Sequence, residues 1–210
     1  MIIAIDGPAA SGKGSLAKKL AEKLDYDFLD TGALYRRVAL KVIENKTNPN
    51  DVDGVIDAAN ALKEEISTAY DDNNLRNDQV GSTASVIAQN QGVRDVLFDI
   101  QRNFAQNAKK GAVLDGRDIG TVICPEADIK LFVTASVEKR AERRLKELQS
   151  RGKDVTHAQV LAEMQERDDR DAVRLDKHLA PDHDVTIIDT SDMTPEDVLE
   201  NAMTIITTRS

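Results

Sequence analysis

The 210-residue sequence has no tryptophan, three tyrosines and four phenylalanines, so whatever core it builds is aliphatic. A single cysteine, Cys124, excludes an intrachain disulfide, and with no histidine nearby to act as a base it is expected to serve packing. Positive charge is in deficit: 28 lysines and arginines stand against 37 acids, and the formal net charge of -9 argues against a protein that coats nucleic acid or an anionic membrane. The three histidines, His157, His178 and His183, lack metal-ligand spacing and partner cysteines and are expected at the surface. No apolar run of spanning length, no charged-then-apolar leader pattern, no internal repeat and no heptad run appears. These absences point to a reduced, cytoplasmic protein, and 40% hydrophobic residues at this length suffice for one domain with elaborations.

What is present begins at the first apolar run, Met1 to Ile5. Gly7-Pro8-Ala9-Ala10-Ser11-Gly12-Lys13-Gly14-Ser15 follows it and leads into a helical pattern. Glycines allow a tight turn in which successive N–H groups point inward, and a helix opening at Lys13 adds its positive dipole end; the stretch reads as a phosphate-binding loop. Lys13 would bring a mobile charge to the outer phosphates. The usual pattern places Ser or Thr directly after the lysine, whereas here Gly14 stands there and Ser15 comes one residue later. A Mg²⁺ ion is therefore expected to be held mainly by phosphates and water, with Ser15 as a nucleotide contact.

Periodicity and turn chemistry place the rest. Leu16, Leu20 and Leu24 give a helix from Lys13 to Leu24 a buried stripe, and Tyr26 to Leu29 reads as a second strand. Thr31 is placed to cap a helix running through Tyr35 to Ile43, with Arg36 and Arg37 in its first turns. Asn45-Lys46-Thr47-Asn48 lacks the final carboxylate of a guanine-reading motif and reads as a helix end. Residues 51–62 resume a helix, Glu65 to Tyr70 alternate, Asp71-Asp72-Asn73-Asn74 is a turn, and two helices follow with Gly92 as the break. Ala112-Val113-Leu114 is a buried strand that runs into Asp115-Gly116-Arg117-Asp118-Ile119-Gly120, at the carboxyl end where open α/β sheets bind ligands. Ile129 to Val133 is a further strand. Ser136 caps the helix Val137 to Gln149, which ends at Gly152, and Thr156 with Gln159 forms a capping box for the next helix. Arg167, Arg170, Asp171 and Arg174 fall within one arc of that helix; this spacing suits an anion site or a solvent face laced with Glu163–Arg167 and Glu166–Arg170 pairs. Val185 to Ile188 closes the sheet, and Thr194-Pro195-Glu196-Asp197 starts the last helix.

The segments Ile5 to Ser15, Leu29-Asp30-Thr31-Gly32-Ala33 with Tyr35-Arg36, Asp115 to Val122, and Glu166-Arg167-Asp168-Asp169-Arg170-Asp171 resemble the signature segments of the bacterial cytidylate kinases, over essentially the whole chain. The resemblance implies an α/β P-loop kinase with a five-stranded parallel sheet flanked by helices. It divides the chain into a core (1–47, 96–140 and 178–210), a nucleoside-monophosphate-binding insertion (48–95) and a helical lid (141–177), with 150–154 as the lid's flexible break. It implies transfer of the γ-phosphate of ATP, carried with Mg²⁺, to CMP or dCMP by a monomer that binds neither nucleic acid polymers nor membranes.

Residue roles follow from the same resemblance. Gly7 to Ser15 would hold ATP; Thr31, Arg36, Arg117 and Arg174 the CMP phosphate; Ser85, Arg94 and Asp118 the cytosine; Asp171 and Arg167 the ribose. Asp115 is grouped with the substrate contacts. Arg143, Arg144 and Arg170 look like lid arginines that close over the transferring group, and with Lys13, Arg117 and Arg174 they make up the expected catalytic set. Between Ile66 and Arg76 the chain is shorter than the family pattern, at the place of a small supporting sheet. The residues by themselves also fit a kinase for another phosphate-bearing acceptor, or a nucleotide-dependent switch; the latter would need the guanine-reading motif that the sequence lacks. Phosphoryl transfer to an anionic oxygen needs positioning and charge neutralisation more than a general base, which accounts for arginines where a hydrolase carries a triad.

Overall fold

The computed structural model describes residues 1–64, 72–75, 77–179 and 184–209. The alternating run Glu65 to Tyr70, Asp71, Arg76 and His183 lie outside them. In chain order the elements are β1 (Ile2–Asp6), α1 (Lys13–Leu24), β2 (Asp27–Asp30), α2 (Thr31–Glu44), α3 (Val52–Glu64), α4 (Asp72–Leu75), α5 (Asp78–Ile87), α6 (Gln91–Asn107), β3 (Ala112–Gly116), β4 (Ile129–Thr134), α7 (Val137–Ser150), α8 (His157–Leu175), β5 (Thr186–Asp189) and α9 (Pro195–Arg209). A π-helical turn, Ile119–Ile123, follows β3, and a 3₁₀ turn, Asp176–Leu179, follows α8.

Two compact units emerge, residues 1–29 with 108–210, and residues 30–107. The first is built on a parallel sheet with strand order β2-β3-β1-β4-β5. β1 lies between β3 and β4 and pairs in parallel with both, Ile5 opposite Asp115 and Asp6 opposite Gly116. The chain crosses over in opposite directions from β1, so the carboxyl ends of β1, β3 and β4 meet at a switch point. Ile3, Ile5, Val113, Ile129, Leu131 and Val133 are buried against Leu16 and Leu20 of α1 and Val198, Ala202 and Ile206 of α9. Such near-continuous apolar strands are what a sheet covered on its faces demands. Cys124 is buried, as expected for packing.

The second unit is helical: α2 packs on α3, α4 and α5, and α3 on α6. Its bounds, 30–107, are wider than the 48–95 read as an insertion, because α2 packs with the helices that follow it. Three local readings change. Asp30, rather than Thr31, caps α2, its carboxylate accepting from Ala33 N at 3.1 Å. Asp72–Leu75 is a helical turn. Gly92 lies inside the first turn of α6, and Asn90 caps that helix by accepting from Val93 N at 3.2 Å, so the break precedes the glycine.

Candidate active site

The loop after β1 takes its shape from two glycines. A Cβ on Gly7 would lie 2.0 Å from Val133 O, and Gly12 has φ +91°, so side chains are excluded from the first position and strained at the second. Ala10 also sits in the left-handed region, at φ 57°. α1 then starts with no side-chain cap and no acid in its first turn, leaving its leading N–H groups and positive end to an anion. Lys13 Nζ donates to Pro8 O at 3.4 Å and lies 3.7 Å from Asp115 Oδ1, with its side chain 11% exposed. Gly14 makes room for this carboxylate: a Cβ there would approach Asp115 Oδ2 to 2.9 Å. Ser15 is exposed, whereas Ser11 is buried and its Oγ has no hydrogen-bond partner among the described residues.

Across from Lys13, β3 delivers Asp115 and Arg117, and α8 meets them. Arg117 Nε donates to Asp171 Oδ2 at 2.8 Å, and Arg174 Nη2 donates to the other oxygen of the same carboxylate. Burial by itself would lower the Arg117 guanidinium, but Asp171, Asp115 and Asp6 outweigh it and push the group above its ordinary value. For Asp171, burial works upward, while Arg117 and Arg174 hold the carboxyl below the usual carboxylate range. Arg167, half-buried on α8, adds to that field. Asp118 is buried at the mouth of the π-helical turn. One carboxylate thus holds two guanidiniums at the end of β3, a fixed fork pair of the kind that binds phosphate oxygens.

The other arginines divide. Arg143 donates to Thr190 Oγ1 at 2.9 Å and Thr190 O at 2.5 Å, and reaches Ser11 O at 3.5 Å. Thr190, just past β5, in turn bonds Ser11 O at 2.9 Å, so Arg143 braces the phosphate loop. Arg144 turns to Glu147 at 2.8 Å and Arg170 lies 3.9 Å from Glu166. In the helical unit, Thr31 and Ser85 are buried, Arg94 is half-buried on α6, and Arg36 Nη1 lies 3.4 Å from Asp30 Oδ2.

A cytidylate kinase family model matches residues 3–208. The chain belongs to the cytidylate kinase family. A cytidylate kinase of Paramagnetospirillum magneticum is 52% identical over 207 residues, covering 98% of this chain and 97% of its own. One of Rhodospirillum rubrum is 50% identical, covering 100% and 99%. A shikimate kinase of Bacteroides thetaiotaomicron, 13% identical, shares the fold with a TM-score of 0.53 over 99% of this chain and 98% of its own.

Within this member of the cytidylate kinase family, three polar residues to which sequence reasoning gave no role are buried. Arg140 on α7 is buried, donating to both oxygens of Asp168 at 3.0 and 2.5 Å, to Ala135 O at 2.9 Å and to Ala9 O at 3.4 Å. Asp6 and His178 are buried together behind the Arg117 loop. His178 thus corrects the expectation of a surface histidine: the 3₁₀ turn folds it inward against Phe132, ring centroids 5.2 Å apart. A signal was available for Asp6, an acid ending an apolar strand, but none for His178, whose partners lie far away in sequence.

Proposed function

We propose that this protein transfers the γ-phosphate of ATP to CMP or dCMP, giving ADP and the diphosphate. The observation that carries the reading is the Arg117–Asp171–Arg174 cluster at the end of β3, beside a phosphate loop whose lysine meets Asp115, in a chain of the cytidylate kinase family. The triphosphate lies along Gly7 to Ser15, its oxygens taken by the loop's N–H groups, the start of α1 and Lys13. The buried Ser11 hydroxyl supports a donor aimed at a ligand there, since a buried polar atom left without a partner is costly. Arg117 and Arg174, with Thr31 and Arg36, take the phosphate of the acceptor, while Asp171 and Arg167 face its ribose. Arg143, Arg144 and Arg170 serve as the lid arginines; Arg144 pairs with Glu147 and Arg170 lies near Glu166 on their own helices, contacts for which a phosphate can compete.

Among the described residues no three metal-ligating side chains cluster. The exposed Ser15 hydroxyl and the Asp115 carboxylate beside Gly14 are hard oxygen donors that suit Mg²⁺ bound mostly by phosphates and water, and these two residues would hold it. When bound, the ion neutralises charge on the triphosphate.

Base choice follows from hydrogen-bonding edges. Arg94 only donates and ionised Asp118 only accepts, which suits the N3 and O2 acceptors and the amino donor of cytosine; uracil would turn O4 toward a carboxylate. Ser85 supplies the third contact. ADP formation measured with CMP, dCMP, UMP and AMP tests the reading: CMP and dCMP are expected to be good acceptors and UMP a poor one. Asp118→Ala should narrow the CMP to UMP ratio of kcat/KM mainly by losing CMP. Equal use of UMP by the wild type would remove the cytidylate assignment.

A further inference from the structure

Behind the Arg117 loop, two buried side chains take up backbone groups that the proposed substrate contacts leave aside. Asp6, the last residue of β1, accepts from Ile119 N and from Gly120 N, both at 2.8 Å. His178 Nε2 lies 3.0 Å from Arg117 O and 3.4 Å from Asp6 Oδ2, and both side chains are 1% exposed. A carbonyl can only accept, so Nε2 carries the hydrogen and donates it to Arg117 O. Phe132 of β4 lies against the imidazole with the ring planes 34° apart, which limits where that ring can turn. Between Asp6 and His178, the carbonyl of residue 117 and the N–H groups of residues 119 and 120 are all fixed.

The segment that brings His178 also brings the partner of the Arg117 side chain. Asp171 of α8 accepts from the guanidinium, and His178, in the 3₁₀ turn that continues from α8, donates to the carbonyl of the same residue. Arg117 is therefore held at both ends from one piece of chain, while Asp6 ties the following residues to the strand that begins the phosphate loop. Asp118, between these anchors, has φ -148° and ψ 31°, outside regular helix and strand geometry.

We propose that His178, together with Asp6, is a positioning residue that sets the Arg117 and Asp118 side chains for the phosphoryl acceptor. The proposal rests on the reading of those two residues as acceptor contacts. Neither Asp6 nor His178 touches a substrate in this scheme; they act through the backbone. Loss of the imidazole donor would leave the Arg117 carbonyl to seek another partner and so shift the guanidinium fork, and misplacement by about 1 Å can cost up to about 100-fold in rate.

Steady-state kinetics on His178→Leu, which keeps bulk without a donor, and His178→Gln, whose amide N–H can stand in for Nε2, provide the test. The leucine variant is expected to lose at least about tenfold in kcat/KM for CMP, with KM for ATP within about twofold of wild type, and the glutamine variant to recover most of the loss. A general structural defect would lower activity toward both substrates alike and would not be repaired by glutamine; that result overturns the proposal, as does a leucine variant with wild-type kcat/KM for CMP. Should His178→Leu not fold, Asp6→Asn, which sets an amide NH₂ against one of the two backbone donors, must show the same CMP-selective loss, and a uniform loss or none overturns it. A wild-type enzyme that ignores CMP would remove the underlying reading instead.

Discussion

Lys13 Nζ makes a long bond to Pro8 O and lies 3.7 Å from the Asp115 carboxylate, both contacts that a phosphate oxygen can compete for. Its side chain is mostly covered, so Lys13→Ala should cost some stability, on the order of 1 kcal/mol, through the Asp115 charge left behind. Turnover should fall by at least about 100-fold, because the removed charge stabilises the transferring group. Circular dichroism and kinetics decide it, and near wild-type activity would remove the phosphate-loop assignment. Arg174 allows a finer test. Its guanidinium shares Asp171 with Arg117, so Arg174→Lys keeps the charge and loses the planar fork. Activity should drop at least about tenfold more than for Arg151→Lys, whose arginine pairs with Glu147 on the surface. Equal effects would return the α8 face to the solvent ion-pair ladder. That charges follow a buried strand at Arg117 and that Asp171 and Arg174 share one face of α8 could be read from sequence because the cues are local; the roles proposed for them came only with the resemblance. His178 could not, since it meets Arg117 across 61 positions, and for Asp6 the acid at the end of an apolar strand gave a cue but not its partner, since it meets Gly120 across 114.

At the scale of elements, caps were the most legible features. Thr156 with Gln159 and Thr194 with Asp197 both form reciprocal boxes within three residues. The strand edges move by a residue: β2 and β5 each run to an aspartate that the apolar pattern left out. Asp30 displaced Thr31 as the cap of α2 for the related reason that a carboxylate ending a strand can turn onto the next helix. What joins α7 to α8 was only partly legible: beside the apolar cluster of Ala141, Leu148, Val160 and Met164 there is a buried arginine, Arg140. Arg140 grips Asp168 through two bonds and reaches the Ala9 carbonyl, linking both helices to the phosphate loop. Removing one partner of such a pair strands the other, so Arg140→Met should destabilise the protein by on the order of 3 kcal/mol in urea denaturation. KM for ATP should rise with it. A change below about 0.5 kcal/mol would show that the pair contributes nothing net.

For the molecule as a whole, the five-stranded parallel sheet was legible through the resemblance but its strand order was not, since no local pattern says that β1 lies between β3 and β4. That placement buries Asp6 where three chain segments meet, and it gives the folded protein an unusual response to pH. Burial pushes the Asp6 carboxyl from an ordinary 3.8 to about 7; the N–H groups of Gly120 and Ile119 pull it down, and the charges of Asp118 and Asp115 push it up. The folded state then keeps a proton that the unfolded chain releases between about pH 4 and pH 7. A carboxyl raised on folding contributes stability that is fully present below the unfolded value and lost as pH rises through the folded one. Asp171 does the opposite in another window: held below the usual range by Arg117 and Arg174, it contributes above about pH 4 and loses that contribution in acid. From pH 5 to 7 the wild type should therefore lose stability relative to Asp6→Asn by roughly 1 kcal/mol per pH unit, and the difference between them should level off by about pH 8. Urea midpoints at unit pH intervals measure this, each variant serving as the background for the other titrating groups. A difference that stays constant from pH 5 to 8 would mean that Asp6 ionises in the fold as it does in water, and that the polar contacts around it offset the cost of its burial.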